Sequence, residues 1–313
     1  MKNPSMALSV AVVTLLITAP GFSESESHQG QGQAVVTILP KQDGALPPSI
    51  SGQDLSIKVN GKPAKVTNLT PFQSKSLELV VLIDGAARSN LSNQFEDIAH
   101  FINGLPPNTK AAVGYMQNGQ ALFATPLTAD HARVLSALHM PSGPAGASAS
   151  PYFCLSDLAK HWPSGDRNAR REVLLITDGV DLYHLQYDAD DPYVQEAITD
   201  SVRAGLVVYA IYWKNQGLER ISGYESYAGQ NLLSEVVQAT GGKSFWIGTG
   251  NPVSFRPFLD ELARRLRNQY QLEFQSDLIG KPRIESLKLK LSAPGNEVAA
   301  PEQVNIVATN AGQ

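Results

Sequence analysis

The sequence predicts an α/β fold in which a doubly wound, mostly parallel sheet is joined by a small β-rich second domain built from both chain ends. Three observations favour this class. Nearly continuous apolar runs, typical of strands buried on both faces, recur within residues 76–268. Amphipathic helical patterns separate these runs, as expected for a parallel sheet with helical crossovers. Alternating apolar and polar residues, typical of half-buried strands, mark the flanking segments 34–75 and 269–308.

The amino-terminal residues predict export. A charged residue precedes an apolar run from Met6 to Ala19, and small side chains follow up to Ser23. This run is shorter than the roughly 20 residues that cross a bilayer. We therefore expect residues 1–23 to be a cleaved signal peptide, with no stable membrane anchor left afterwards and a secreted or periplasmic mature protein. The polar residues 24–33 are predicted to form a disordered linker.

The whole-chain composition excludes several classes of protein. The net charge of −4 leaves no broad basic surface that would attract nucleic acid. The single cysteine, Cys154, excludes an internal disulfide, and its apolar neighbours indicate a buried small side chain. The six histidines show no metal-ligand spacing, and no serine lies in a Gly-x-Ser-x-Gly motif. The sequence therefore predicts a protein that is not an enzyme.

The flanking segments carry strand and turn signals. Leu55 to Val59 alternates apolar with polar residues, and Asn60-Gly61 then supplies the positive φ angles of a tight hairpin. Leu287 to Leu291 alternates leucine with lysine. Because each segment has one apolar face to bury, we expect residues 269–308 to pair with residues 34–75 as a small second domain.

Residues 76–268 form the predicted α/β domain. Leu77 to Ile83, Val173 to Thr177 and Leu206 to Trp213 read as buried strands of a parallel sheet. Asp191-Pro192 is the signature of a helix cap followed by a first-turn proline, and Gly205 is placed to end that helix. Strands and helices thus alternate along this segment.

Two acidic residues follow two of these strands directly. Asp84 ends the strand that begins near Leu77, and Asp178 ends the strand that begins near Val173. Ligands of open parallel sheets bind outside the carboxyl ends of the strands. If the two strands are neighbours, both carboxylates face one cleft, and their oxygens suit a hard cation such as Mg²⁺.

Here the sequence resembles the von Willebrand factor A (VWA) domain family. The resemblance lies in the strand ending at Asp84, the helix and hairpin after it, and the LLITDG sequence of residues 174–179. Residues 203–211 and 239–245 are similar to the second half of exported bacterial members, which also carry β segments at both ends. The resemblance implies a Rossmann-like VWA fold over nearly the whole mature chain.

The family's metal-ion-dependent adhesion site is matched only in part. Its Asp-x-Ser-x-Ser motif begins at Asp84, but Ala86 and Arg88 occupy the two serine positions, and Ser89 is one residue out of register. The family's loop threonine corresponds to Ser148 or Ser150, and the sequence does not choose between them. The resemblance therefore implies a degenerate site.

Three interpretations of the cleft remain open at this point. In the first, the site is metal-free and the Arg88 guanidinium neutralises one of the acids. In the second, Asp84, Asp178 and Ser150 bind Mg²⁺ weakly, with a partner's carboxylate completing the site. In the third, the two acids only stabilise nearby helix and turn ends. The first is the leading hypothesis, so no cofactor is expected apart from weakly bound Mg²⁺.

Several tyrosines flank two loops at the same predicted edge of the sheet. Exposed tyrosines suit a protein interface, but some of these could equally belong to the core. The tyrosines concerned are Tyr183, Tyr187, Tyr193, Tyr224 and Tyr227.

These features predict an exported, non-catalytic protein-binding module for adhesion or interaction. The cleft loops 84–90, 144–152 and 178–190 would contact a protein partner, and Asp181 is a further candidate on the last of them. The alternative is a structural assembly subunit whose β flanks mediate association while the cleft is idle. The other alternative is the weakly Mg²⁺-binding VWA domain that a partner carboxylate completes.

Overall fold

The computed structural model of the chain shows two sheets, one with helices on both faces and one closed into a barrel. The predicted signal peptide, residues 1–23, and most of the predicted linker lie outside the residues that it describes. The described residues are 30–42, 49–72, 76–85, 91–142, 148–188, 190–213, 223–246, 252–277 and 282–308.

The first sheet is mixed. Within the described residues it has six strands: β4 (Leu77–Asp84), β5 (Lys110–Gln117), β6 (Gln120–Phe123), β7 (Arg170–Thr177), β8 (Leu206–Tyr212) and β9 (Ser244–Phe245). They lie in the order β6-β5-β4-β7-β8-β9. All neighbours pair in parallel except β5 and β6, which form an antiparallel hairpin. Its turn uses the positive φ angles of Asn118 and Gly119.

Helices cover both faces of this sheet. They are α1 (Phe95–Asn103), α2 (His131–Ser136), α3 (Pro151–Lys160), α4 (Pro192–Ala204), α5 (Gly223–Thr240) and α6 (Arg256–Arg267). Val81 and Ile83 of β4 pack in one buried cluster with α1 and α6. Val80 and Leu82 point the other way and pack with α3, α4 and α5. Every residue of β4 is buried, which is why its sequence is almost uninterrupted apolar.

The second sheet is a closed antiparallel barrel. It comprises β1 (Gly30–Pro40), β2 (Leu55–Val59), β3 (Lys62–Pro71), β10 (Gln269–Ser276), β11 (Arg283–Leu291), β12 (Asn296–Ala299) and β13 (Gln303–Ala308). The order β10-β3-β2-β11-β13-β1 closes on itself because β1 also pairs with β10, and β12 adds to β1 alongside. The inward residues form one apolar cluster that includes Val36, Ile57, Leu272 and Ile306.

A glycine lies where the barrel closes. Gly32 of β1 is paired with Phe274 on one side and with Ile306 on the other. A Cβ at Gly32 would lie 2.4 Å from the Phe274 ring and 2.7 Å from Ile306 Cδ1. The missing side chain therefore makes the room that the phenyl ring occupies at this junction.

The predicted fold class is wrong for this chain. The barrel, with seven strands among the described residues, is antiparallel and closed, and the six-stranded sheet is mixed, so the molecule is not a doubly wound, mostly parallel sheet with a small β-rich addition. The alternating patterns indicated most of the strands and favoured pairing between the two flanking segments, but they did not specify individual strand neighbours. Residues 30–33 of the predicted linker belong to β1. Since β1 pairs with three later strands, closure depends on pairings across nearly the whole chain, which a local pattern cannot specify.

The two sheets are joined directly. β10 follows α6 after Asn268, and the Ile38 N–H of β1 donates to the Asn268 carbonyl at 3.0 Å. None of the helices among the described residues combines the length and hydropathy that crossing a bilayer requires.

Candidate functional site

The candidate site lies at the carboxyl edge of the mixed sheet, where β4 and β7 end side by side. These strands pair in parallel with Ile83 opposite Ile176, so Asp84 and Asp178 emerge at the same edge. Both acids are buried, at 1% and 3% exposure. We call the site the carboxyl-edge cleft; its described parts are residues 84–85, 148–150 and 178–188.

Hydrogen bonds hold the two acids in place. The Thr177 hydroxyl donates to Asp84 Oδ2 at 2.6 Å and accepts the Gly179 N–H at 3.1 Å. Asp178 Oδ1 accepts the Val180 N–H at 3.0 Å. Thr177, the residue between the buried strand and the acid, thus links both carboxylate-bearing segments.

A glycine contact sets the position of the Asp178-Gly179 turn. Gly179 has a φ of 69°, and a Cβ on it would lie 2.4 Å from the Gly229 carbonyl of α5. A Cβ on Gly229 would in turn lie 2.5 Å from the Asp178 carbonyl. The buried Tyr152 hydroxyl donates to the Gly179 carbonyl at 2.8 Å. Two glycines and one tyrosine therefore fix how closely α5 approaches the acid.

The small-residue loop before α3 forms the neighbouring wall. Ser148 and Ser150 are both buried, and the Ser150 carbonyl accepts the Cys154 N–H at the start of α3. The Leu182 N–H donates to the Ala149 carbonyl at 3.0 Å, which ties this loop to the segment after β7. The structure thus brings both serine candidates to the same cleft as Asp178.

Asp181 lies in this cleft as a third buried acid. Its exposure is 2%, and its Oδ1 accepts the Tyr183 N–H at 2.8 Å. Burial raises the pKa of its carboxyl above the ordinary value, and the negative charge of Asp191 adds to this. Hydrogen bonds from the Tyr183 backbone and the Ser150 side chain act in the opposite direction on the same pKa. Asp84, Asp178 and Asp181 are thus all buried at this edge of the sheet.

A histidine–aspartate pair borders the cleft, and sequence reasoning missed it. His184 Nδ1 pairs with Asp191 Oδ2, and this hydrogen bond raises the pKa of His184. Asp191 also caps α4, accepting the Tyr193 and Val194 N–H groups. The acid's capping role was predicted from Asp191-Pro192, but nothing in the local pattern indicated that the His184 ring reaches it.

Exposed tyrosines surround the cleft. They are Tyr183 at 68%, Tyr224 at 60%, Tyr227 at 51%, Tyr193 at 43% and Tyr187 at 41% exposure. Tyr224 and Tyr227 precede Gly229 on α5, and Gly229 touches the Asp178 turn, so they belong to the same edge as the other three. The sequence left interface and core open for these tyrosines, and the structure places all five at the surface.

Two of the predicted site residues, Arg88 and Ser89, lie outside the described residues. The remaining ones are all buried among the residues that define the carboxyl-edge cleft: Asp84, Ser148, Ser150, Asp178 and Asp181.

The metal-site motif of the VWA family is matched only in part at this edge. Across the residues that the structure describes, no group of three or more His, Cys, Asp or Glu side chains is placed to hold a metal ion. Asp84 already receives the Thr177 hydroxyl, and the two serine positions of the family motif hold Ala86 and Arg88. A hard cation needs about six oxygen donors.

The lone cysteine does not supply a nucleophile to the cleft. Cys154 is fully buried in α3, and its Sγ lies 3.7 Å from the Ser148 carbonyl. Burial, together with the negative charge of Asp84, raises the pKa of the thiol far above its usual range. The side chain therefore stays a protonated part of the core.

Comparisons with known proteins return structural likeness only. No family model matches the chain. No curated protein matches it either. Among solved structures, an aerotolerance-related membrane protein from Bacteroides fragilis has a TM-score of 0.45 at 13% identity, over 61% of this chain and 98% of the other. BatB from Bacteroides thetaiotaomicron has 0.44 at 12%, over 61% and 97%.

The SpRpn10 VWA domain has a TM-score of 0.40 at 10% identity, over 59% of this chain and 94% of its own. One of these neighbours is itself a VWA domain, the family that the sequence motifs resemble, and a likeness at these scores carries no activity, partner or metal with it.

Proposed function

We propose that this chain is an exported, non-catalytic protein-binding module whose partner contacts the carboxyl-edge cleft and its tyrosine rim. The tyrosine rim comprises Tyr183, Tyr187, Tyr193, Tyr224 and Tyr227. The observation that carries the proposal is the exposure of all five rings around one buried acidic cleft. Tyrosine is enriched among the residues that dominate binding energy at protein interfaces.

Neighbouring side chains hold three of the five rim tyrosines. The Phe153 ring packs edge-on against Tyr193 at 4.7 Å between centroids and against Tyr183 at 5.2 Å. The Tyr187 hydroxyl donates to Glu235 at 2.6 Å. Rings that are held in place lose little conformational freedom on binding, so their apolar faces and hydroxyls contribute to affinity efficiently.

Binding in this proposal does not require a metal. The buried acids position the cleft loops through hydrogen bonds, and two of the family's hydroxyl ligand positions hold Ala86 and Arg88. The barrel supports this assignment, because its closure through β1 and β10 leaves the short β12 as the edge strand of that sheet among the described residues.

The test is affinity capture from an exported fraction with the purified chain as bait. A Tyr183→Ala, Tyr224→Ala, Tyr227→Ala variant should lose the protein that the wild type captures, with a loss of at least about tenfold in affinity. The control is Val307→Ala, which truncates an exposed apolar side chain on the barrel. Equal capture by the triple variant and the wild type would refute the tyrosine rim as the contact surface.

Two further measurements on the purified chain distinguish metal-free partner binding from the alternative in which the site binds Mg²⁺ weakly. A chelator should leave capture of the partner unchanged. Calorimetric titration with Mg²⁺ or Mn²⁺ should show binding only in an Ala86→Ser, Arg88→Ser variant, which restores two hydroxyl oxygens as metal ligands. Loss of capture in chelator, or metal binding by the wild type, would favour the partner-completed site formed by Asp84, Asp178 and Ser150.

A further inference from the structure

A second cleft lies between the barrel and the amino ends of β7 and β8, at the opposite end of the sheet from the tyrosine rim. Its volume is about 860 Å³, and both units contribute to its lining. Cavities of roughly 300–1,000 Å³ are typical of small-molecule sites. We call it the arginine cleft, since Arg167, Arg170, Arg171 and Arg203 all line it.

Arg170 is the most buried of these arginines, at 7% exposure. Its Nη1 donates to the Leu266 carbonyl at 2.8 Å and to Gln269 Oε1 at 2.6 Å. Its Nε makes no hydrogen bond to any described residue and stands 3.7 Å from Glu172 Oε1. This nitrogen is itself buried beside Glu172, so Arg170 contributes to the cleft mainly through its positive charge.

Glu172 neutralises Arg170 only in part. Burial raises the pKa of the Glu172 carboxyl to about 8, although the positive charge of Arg170 pulls that pKa down. At neutral pH the acid is therefore largely protonated, and the wall of the cleft keeps a net positive charge.

The other three arginines lack carboxylate partners among the described residues. Arg171 donates to the carbonyls of Ala204 at 3.4 Å, Ser164 at 3.4 Å and Asp166 at 3.3 Å, which orient its guanidinium without cancelling the charge. Arg167 and Arg203 are exposed and lie in no ion pair with a described residue.

Apolar side chains complete the cleft. Phe72 and Val202 line it together with Phe274 from the barrel, and Phe72 also lies under the Arg170 guanidinium at 5.1 Å. Glu273 is the one acid among the described lining residues, and it accepts a hydrogen bond from Gln271. Concentrated positive charge beside an apolar wall suits a ligand with an anionic head and a short apolar body.

We propose that the arginine cleft binds a small amphipathic anion, with a phosphate or carboxylate group held by Arg167, Arg170, Arg171 and Arg203 and its apolar part against Phe72 and Val202. This site is independent of the tyrosine rim, so either can be tested without the other.

The test is calorimetric titration of the full chain with octyl phosphate, octanoate and octyl glucoside. One of the two anions should bind with a stoichiometry of one, and the neutral glucoside should bind at least about tenfold more weakly, because it lacks the charge-assisted hydrogen bonds. Inorganic phosphate should also bind more weakly than octyl phosphate, since it lacks the apolar part. The two anionic probes distinguish a phosphate head from a carboxylate head.

Two matched variants localise the binding. Arg167→Gln with Arg203→Gln should weaken the anion at least about tenfold, since two unpaired charges are lost beside the head group. Arg133→Gln with Lys288→Gln removes the same net charge from exposed positions outside the cleft lining and should leave the affinity unchanged. Absence of binding by both anions at millimolar concentration overturns the proposal. An equal loss in the two double variants also overturns it, because the effect would then be long-range electrostatics alone.

Discussion

The contact between Gly179 and Gly229 controls the carboxyl-edge cleft at the scale of single residues. A methyl group on Gly229 would stand 2.5 Å from the Asp178 carbonyl and 2.8 Å from the Gly179 carbonyl carbon. Both are backbone atoms, so neither can rotate away. We predict that Gly229→Ala destabilises the protein by about 1–3 kcal/mol, as overpacking of a close contact does. Denaturant unfolding followed by circular dichroism measures this loss.

Gly223 provides the matched control in the same helix. A Cβ at Gly223 meets nothing within 4 Å, so Gly223→Ala should leave the free energy of unfolding unchanged or raise it slightly. If both alanine variants were equally stable, α5 would not approach the Asp178 turn as closely as described.

Glu172 links the stability of the protein to pH. Burial raises the folded-state pKa of this carboxyl from the ordinary 4.5 to about 8. The folded state therefore holds the proton more tightly than the unfolded state, and the stabilisation present below pH 4.5 is lost as the pH rises toward 8. Glu172→Gln, which cannot ionise, should become progressively more stable than the wild type over this interval.

Urea unfolding of both proteins at about pH 5 and about pH 9 measures the difference. Stability curves that stay parallel across this range would contradict an unusually protonated Glu172.

At the scale of elements, Asp191 at the start of α4 has a second role besides capping the helix. Asp191 caps the helix through the Tyr193 and Val194 N–H groups, and Gly205 ends it with a φ of 69°, both as the sequence predicted. The same Asp191 also holds the His184 ring from the loop before the helix. The cap therefore couples the orientation of α4 to the conformation of a cleft loop.

The His184–Asp191 pair makes the free energy of unfolding depend on pH. The hydrogen bond to Asp191 raises the folded-state pKa of His184 above the ordinary 6.5. The stabilisation by the charged pair is therefore complete below pH 6.5 and is lost as the pH rises through the raised pKa. The free energy of unfolding of the wild type should therefore exceed that of His184→Gln, with the largest difference at about pH 5.5 and the smallest at about pH 8.5. The midpoints of urea unfolding at the two pH values test this. A difference that is the same at both would show that His184 is not held as the charged partner of Asp191.

At the scale of the whole molecule, barrel closure depends on β1, which meets β10 on one side and β13 on the other. Gly32 lies where all three strands meet, beside Phe274 and Ile306. We predict that Gly32→Val lowers the free energy of unfolding by about 1–3 kcal/mol, because its side chain collides with the phenyl ring. Gln31→Val, at an exposed position of the same strand, should be nearly neutral. Equal stability of the two variants in thermal unfolding would argue against closure at this junction.

Features that depend on neighbouring residues could be predicted from the sequence. The positive φ angles at Asn60-Gly61, the Asp191 cap and the buried run of β4 follow from conformational preference and from the burial of both strand faces. The two acids could be placed at one edge because parallel neighbouring strands end together. These inferences need only short stretches of chain.

Only the tertiary structure decided the features that need partners distant in sequence. The barrel closes through pairing of residues 30–37 with residues 269–276, and the arginine cleft forms where that barrel meets the start of β7. Alternating patterns allow many strand pairings of similar local quality, so the sequence alone indicated most of the strands and favoured pairing of the two flanks, but it did not determine which strand lies beside which. Packing of the whole chain selects one arrangement, and with it the Gly179–Gly229 contact, the His184–Asp191 pair and the shared wall of the arginine cleft.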